Sequence, residues 1–446
     1  MEGRQALDYV LSLAREHRVR DADCMLAREE SITVKVFRGK VEKVDQSTAL
    51  GLGVRVVDAG RTGLAFTERL EPAALEKTFL AARENAALLD PTEVVLNREI
   101  PPVPDPAGLG LHSEALQALT VDDLGRLGLE IEAAAFAADR RVKALPYLVA
   151  SRSQGEYRIV STHGLEYAQR ENSVGAYCQA LLEDNGRRKS GSRLWHRRAW
   201  SAEEARTVGP MAVERAAALL GAGPIPSARL PVVLDEDCAP ELLGMYFGAF
   251  SGEAAQKGQS RLKGRLGEQI AAPEIDLVDE PHLSGAGGSR YLDAEGTPTR
   301  PLPLIEGGRF ANFLYHIESA RRDGRPPTGH AGRSYSGGIV TRKNNLVLPA
   351  GTHTLEELIA LEPRCLLVTE LEGGAGCNPI SGDISIGVQG FLVEGGRRVQ
   401  PVDGVTIAGN FFDLLRGIRA RGRAYQPNLT SLFIPALLVD GLAVSG

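Results

Sequence analysis

Residues 369–391 read TELEGGAGCNPISGDISIGVQGF, six glycines threaded through an acidic run of otherwise strand-forming residues. Glycine has no Cβ, so it accepts positive φ and lets another backbone approach closely. Its density here predicts bulges and a surface on which a second chain can lie along the main chain. Upstream of this stretch, VVLDE opens a strand, a helix is expected around 240–250, and glycine-punctuated strands follow. Downstream, LFIPALLV is the last apolar strand. The segment GAGPIPSARLP at 221–231 is the best boundary in the chain, because glycine and proline interrupt any regular element there. The expected domains are therefore 1–225 and 226–446.

The first of these begins with MEGRQALDYVLSLAREH, where Leu7, Val10, Leu11 and Ala14 recur at helical spacing with charges between them. This is not the apolar block of a signal peptide. From 21 to 67 apolar and polar residues alternate, with turns at Arg38-Gly39-Lys40 and Asp58-Ala59-Gly60. Period two bounded by turns predicts antiparallel hairpins with one face in water. Helices are expected over 72–89, 121–138 and 202–220, and a strand meander over 142–198 with turns at Thr162-His163-Gly164 and Asp184-Asn185-Gly186. Strands and helices in separate runs, without a βαβ rhythm, predict an α+β fold with antiparallel strands in its N-terminal domain.

At 446 residues the chain exceeds one ordinary core. Its balance of 43% hydrophobic and 24% charged residues predicts a globular protein, and no run reaches the length of a membrane span. A net charge of −6 does not favour nucleic acid as a global partner. The five cysteines, Cys24, Cys178, Cys238, Cys365 and Cys377, are scattered and odd in number, which predicts free thiols in a reducing cytoplasm.

Few residues point to chemistry. Phosphate-cradling and nucleophile-elbow motifs are absent, and Gly51-Leu52-Gly53 sits inside an alternating strand as a close-packing point. Cys377 is a thiol in a glycine-rich context, with no base fixed near it in sequence. His316, Glu318, His330 and Cys377 are the residues from which a metal site could be assembled, although no two histidines have ligand spacing. The triplet Asp235-Glu236-Asp237 is expected to cap the following helix. The basic segment RRKSGSRLWHRRAW at 187–200 interleaves tryptophan with cations, a pattern that can bind single strands of nucleic acid. On a strand it reads instead as an exposed edge kept apart by charge. Arg416, Arg419, Arg421 and Arg423 are expected at a helix C-terminus.

The glycine-rich stretch, together with PTGHAG at 327–332, LGEQI at 266–270 and GVTIAGNFFDLL at 404–415, resembles the TldD/PmbA family of metallopeptidase subunits, and within it the PmbA (TldE) branch. The resemblance implies an N-terminal α+β domain followed by a larger sheet-rich C-terminal domain of the TldD/PmbA type, and a heterodimer in which a TldD-like subunit carries zinc and cuts unfolded or leader peptides. The PmbA-like subunit closes the cavity and helps select the substrate. In the catalytic branch a HExxxH helix supplies two histidines and a glutamate, and a late cysteine is the third protein ligand. Those positions fall here on Gly244, Ala249 and Met245, with no thiol in NLTSLFIP. No zinc and no catalytic residue is therefore expected in this chain, and zinc is expected in the partner. The inner surface is expected near Thr369, Glu370, Gly373, Gly382, Asp383 and Gly387. A homodimer is possible in isolation. An independent homodimeric hydrolase using Cys377 or another metal site is one alternative; the other is a non-proteolytic regulator of a topoisomerase, since the family was once labelled a modulator of DNA gyrase.

Overall fold

In the computed structural model, which describes residues 2–92 and 94–446, the alternating N-terminal sequence forms long strands. Strand β1 (Asp21–Phe37) pairs antiparallel with β2 (Lys40–Asp58), and β2 with β3 (Arg61–Thr67). Both connecting turns, Arg38-Gly39 and Ala59-Gly60, have positive φ at each central residue, the hairpin geometry that follows the right-handed twist of the strands. The chain then passes through two helices, α2 (Pro72–Ala87) and α3 (Val121–Ala138), before β4 (Val142–Ser161) pairs with β1 rather than β3. With β5 (Glu166–Asp184) and β6 (Arg187–Arg197) the sheet order is β3-β2-β1-β4-β5-β6.

One face of this sheet is covered by helices. Even-numbered residues of β1 such as Cys24 and Leu26 pack with α1 (Gly3–Glu16) and α2, and Val34 and Val36 pack with α3. The α4 helix (Val208–Ala218) completes this layer over β5 and β6. The expected helix over 202–220 is split at Thr207, two residues before Gly209-Pro210. Pro210 has no N–H to donate to the preceding turn, which accounts for the break.

The C-terminal half builds a sheet of order β12-β13-β8-β9-β10-β11-β14-β7. Its strands are β7 (Ala228–Arg229), β8 (Val232–Leu234), β9 (Arg364–Glu372), β10 (Asp383–Glu394), β11 (Arg397–Asn410), β12 (Ile418–Arg421), β13 (Leu437–Val439) and β14 (Ala443–Ser445). One face packs on aromatics, with Tyr246 stacked on Phe411 at 4.9 Å; the other packs on Leu358 and Ile359. A five-stranded sheet of short strands completes the α+β fold; four of them, including Leu277–Asp279 and Leu302–Glu306, lie between β8 and β9 in sequence, and the fifth, Leu432–Phe433, lies between β12 and β13. No helix among the described residues is long and apolar enough to cross a membrane. Of the four arginines expected at a helix C-terminus, only Arg416 ends a helix; Arg419 and Arg421 lie on β12, which begins at Ile418 after Gly417 closes the helix.

The expectation of a wet second face holds only for part of the N-terminal sheet. Residues 40–49 of β2 are exposed, but 51–57 are buried on both sides, because the C-terminal half docks there. A Cβ at Gly51 would sit 2.2 Å from the Tyr335 ring, and one at Gly53 would sit 1.9 Å from the Tyr335 carbonyl oxygen, so this pair is a close-packing point. Beside them, Arg55 Nε and Nη2 donate to Asp23, Arg55 Nη1 donates to Glu295 Oε1 at 2.8 Å, and Arg333 Nη1 donates to Asp23. Side-chain exposure is 2–3% for all four residues. Burial alone would raise the Asp23 carboxyl, but Arg333 and Arg55 together hold it below its ordinary value.

The basic segment also differs from its sequence reading. Its strand is at the sheet edge, but its charges join the two halves: Lys189 pairs with Asp403, Arg193 with Asp237, and Arg198 donates to the carbonyl oxygen of Gly285. Trp195 is buried and its Nε1 donates to Glu204. Lys189 and Arg193, committed to carboxylates, and Trp195, inside the core, are thus not free to meet bases.

Removing one member of a buried charge cluster leaves its partners desolvated and unpaired. Arg55→Met is expected to lower stability by about 3–5 kcal/mol, read from the denaturant unfolding transition. A transition unchanged from the parent would contradict a docking role for this cluster.

Candidate functional site

The glycine-rich stretch folds as the β9–β10 hairpin with its connecting loop at 373–382. The register shifts between Val368 and Glu370, so Thr369 is the bulge that the glycine-rich sequence predicts nearby. On the far side of β9, the short strand β8 pairs only with Leu366, Leu367 and Val368. Among the described residues no strand pairs with 369–372 on that side, which leaves an open edge carrying Thr369 and Glu370. Burial raises the Glu370 carboxyl, with Arg215 and Lys189 of the N-terminal half opposing, which places this edge at the junction of the halves.

The other four candidates have different surroundings. Gly373 is exposed with φ 74°. Gly382 closes a turn, its N–H donating to the Asn378 carbonyl oxygen and its own carbonyl accepting from Phe411 N. The Asp383 side chain accepts from Ser381 and Asn410, which lower its pKa, and its carbonyl accepts from the Tyr246 hydroxyl at 2.8 Å. Gly387 lies in β10, paired with β9 on one side and β11 on the other, so its backbone has no free edge to offer a peptide. A Cβ there would stand 3.0 Å from Glu372 Oε2. The structure thus brings Thr369 and Glu370 to an open edge and gives Gly382, Asp383 and Gly387 work inside the sheet.

The residues onto which the resemblance places the metal motif do not fit zinc. Gly244 ends α5 (Cys238–Gly244), and a Cβ there would be 2.9 Å from Leu432 Cδ1. The Met245 sulfur packs toward Gly374, and Ala249 is buried without a donor. The remaining candidates are not assembled. His330 is fully buried with Nδ1 on Thr328 Oγ1 at 2.8 Å and Nε2 3.1 Å from Asn344 Nδ2. His316 Nε2 stands 3.5 Å from Glu253, while Glu318 pairs with Arg322. Among the described residues, no three His, Cys, Asp or Glu side chains are gathered as a metal set. Cys377 Sγ lies 4.0 Å from the Ser385 carbonyl oxygen, and its phenolic neighbour Tyr246 is made a weaker acid by burial and then by the thiol itself. Among the described residues no histidine is hydrogen-bonded to that thiol as its base.

Asp235, not Asp237, caps α5: its Oδ1 accepts from the N–H groups of Asp237 at 3.1 Å and Cys238 at 2.8 Å. Asp237 turns outward to Arg193 and Arg215.

A concave feature lies between the halves. Three cavities of about 380, 620 and 370 Å³ adjoin one another. The first two share Glu29, Ala49, Gly155, Glu171 and Gly287; the first and third share Met25 and the strap 333–335. The second reaches Leu432, the residue packed on Gly244. None of the six sequence candidates lines these cavities. The lining is assembled from separate β1, β4 and C-terminal segments, so no local sequence pattern marks it.

Three family models match in order along the chain: PmbA/TldA metallopeptidase domain 1 at 22–86, the central domain at 114–220 and the C-terminal domain at 227–446. The chain belongs to the TldD/PmbA metallopeptidase family. The first two TldD/PmbA segments share the six-stranded sheet, and the third is the C-terminal half. The chain is 28% identical to the metalloprotease PmbA of Escherichia coli, over 94% of this chain and 92% of that protein. It superimposes with a TM-score of 0.87 and 28% identity on a Thermotoga maritima protein described provisionally as a modulator of a DNA gyrase, covering 99% of this chain and 100% of that one. TldE from Thermococcus kodakarensis has the same fold, with a TM-score of 0.85 at 23% identity over 99% of this chain and 100% of that one.

Burial pushes the Asp235 carboxyl up to about 6 from 3.8, against the bond from Cys238 N–H. The folded state therefore holds a proton that the unfolded chain releases first. The stability this carboxyl contributes is fully present below about pH 4 and is lost as pH rises through about 6. Asp235→Asn keeps the accepting oxygen and removes the charge. It is expected to match the parent at pH 4 and exceed its melting temperature at pH 7; a variant less stable at pH 7 would contradict this assignment.

Proposed function

We propose that this chain is the non-metal-binding, TldE/PmbA-like subunit of a two-subunit zinc peptidase that degrades unfolded or leader peptides in the cytoplasm. The observation that carries the reading is the pairing of a donorless motif with an intact cleft. Gly244, Met245 and Ala249 offer no zinc ligand, and Leu432 fills the space over Gly244, yet the cavity system beside Leu432 persists between the halves. In this reading a TldD-like partner supplies the zinc, which polarises the scissile carbonyl and its bound water. This chain narrows the enclosure and holds extended backbone. The open edge at 369–372 suits that task, since unpaired N–H and C=O groups accept a peptide regardless of its side chains. Lys189 and Arg193 of the basic segment are taken up in ion pairs between the halves, which counts against the regulator reading.

The test is cleavage of an unstructured peptide by this chain, by a HExxxH-bearing TldD protein, and by their mixture, with zinc quantified in each. Zinc is expected in the partner alone, and this chain is expected to raise or redirect cleavage only in the mixture. Cleavage by this chain alone that is blocked by a chelator or a thiol reagent would overturn the reading.

A further inference from the structure

The two walls of the 380 Å³ cavity differ in charge. The C-terminal wall contributes Arg290, Arg333, Arg342 and Lys343 and no acidic residue. On the opposite sheet Glu156 is paired with Arg158, Glu171 with Arg198, and Arg28 with Glu30, while Glu29 is exposed.

The cations of the C-terminal wall are not neutralised in proportion. Arg290 donates only to neutral oxygens, those of Asn344, Ala331 and Arg342. Lys343 Nζ donates to the Ser431 hydroxyl at 2.9 Å. Arg342 is exposed and has no ion pair among the described residues. Arg333 has a side chain 3% exposed, with Nη1 held by Asp23 and with Nε and Nη2 buried without a partner among the described residues. Donors so enclosed do not face the cavity, so Arg333 lends it positive charge, while the donors open to an anion are those of Arg342 and Lys343.

We propose that this cavity is a carboxylate-binding subsite, with Arg342 and Lys343 as its donors and the buried charge of Arg333 adding to their field. The carboxylate is carried by a peptide, either as its C-terminus or as an aspartate or glutamate side chain. A C-terminal carboxylate held here would register an extended chain along the cleft toward Leu432; an acidic side chain would select sequence instead. The choice of a peptide as carrier rests on the proposed function, but the subsite belongs to this chain and needs no partner.

The experiment is fluorescence anisotropy with the full chain alone and three labelled unstructured peptides of one length: free C-terminus without acidic residues, amidated C-terminus with one internal glutamate, and amidated without acidic residues. The third is expected to bind at least about tenfold more weakly than whichever of the others fits, and that preference is expected to disappear in Arg342→Gln/Lys343→Gln. These substitutions are preferred to Arg333→Met, which also breaks the pair with Asp23; an unchanged melting temperature verifies that the double variant is folded. Preference for the first peptide assigns the C-terminus, and preference for the second assigns the side chain. Equal binding of all three, or a preference that survives the double substitution, would overturn the proposal. Because no partner is present, a failure here leaves the mixed cleavage test intact, and a failure there leaves this one intact.

Discussion

Four charged side chains shielded from water, Asp23, Arg55, Glu295 and Arg333, govern how the two halves of the chain meet. A charge removed from water is tolerated only with a counter-charge and good hydrogen bonds, so each residue requires the others in place. The cluster extends on both sides. Glu295 Oε2 accepts from Ile317 N–H at 2.9 Å, and the neighbouring Asp293 accepts from Glu295, Thr297 and Ala331 N–H groups. Burial and then the charge of Glu295 push Asp293 up to about 6. The loops that wall the cleft are thus pinned through backbone bonds to the same acids that meet the sheet.

Much of the architecture was legible because local patterns and tertiary structure agree. The long hairpins follow from alternation and turn residues, and the α3 helix matches its expected span of 121–138 because its apolar spacing and its Thr120–Asp123 capping box agree. Legibility fails where one half of the chain covers the other. Arg55 alternates with valines and reads as a solvent-facing residue, yet it is among the largest fully buried side chains. The segment 187–200 reads as a charged edge, and only the positions of Asp237 and Asp403, contributed by the other half, show where those charges go. Non-local burial leaves no period in the sequence.

The site divides in the same way. The absence of donors at Gly244, Met245 and Ala249 can be read directly from residue types. The glycine-rich hairpin bends at the Thr369 bulge as its composition predicts, but part of its glycine content serves packing: Gly390 faces the Leu367 carbonyl and Gly376 the Ser385 carbonyl at distances no Cβ could occupy. The cleft could not be read at all, since its walls come from β1, β4, the 287–290 loop and the 333–343 strap. What distinguishes it physically is the surplus of unpaired cations on one wall, a property visible only when those segments are set side by side.

The strap has a consequence for how the protein is made. Arg333 follows Asp23 by 310 residues. At about 5–20 residues per second, roughly 15–60 s of synthesis separate the emergence of the two partners. Throughout that interval the face of β1 and β2 that carries Asp23, Gly51, Gly53 and Arg55 has nothing to cover it. The first sheet must therefore hold its shape from its helix-covered face alone, and union of the halves is a closing event of translation.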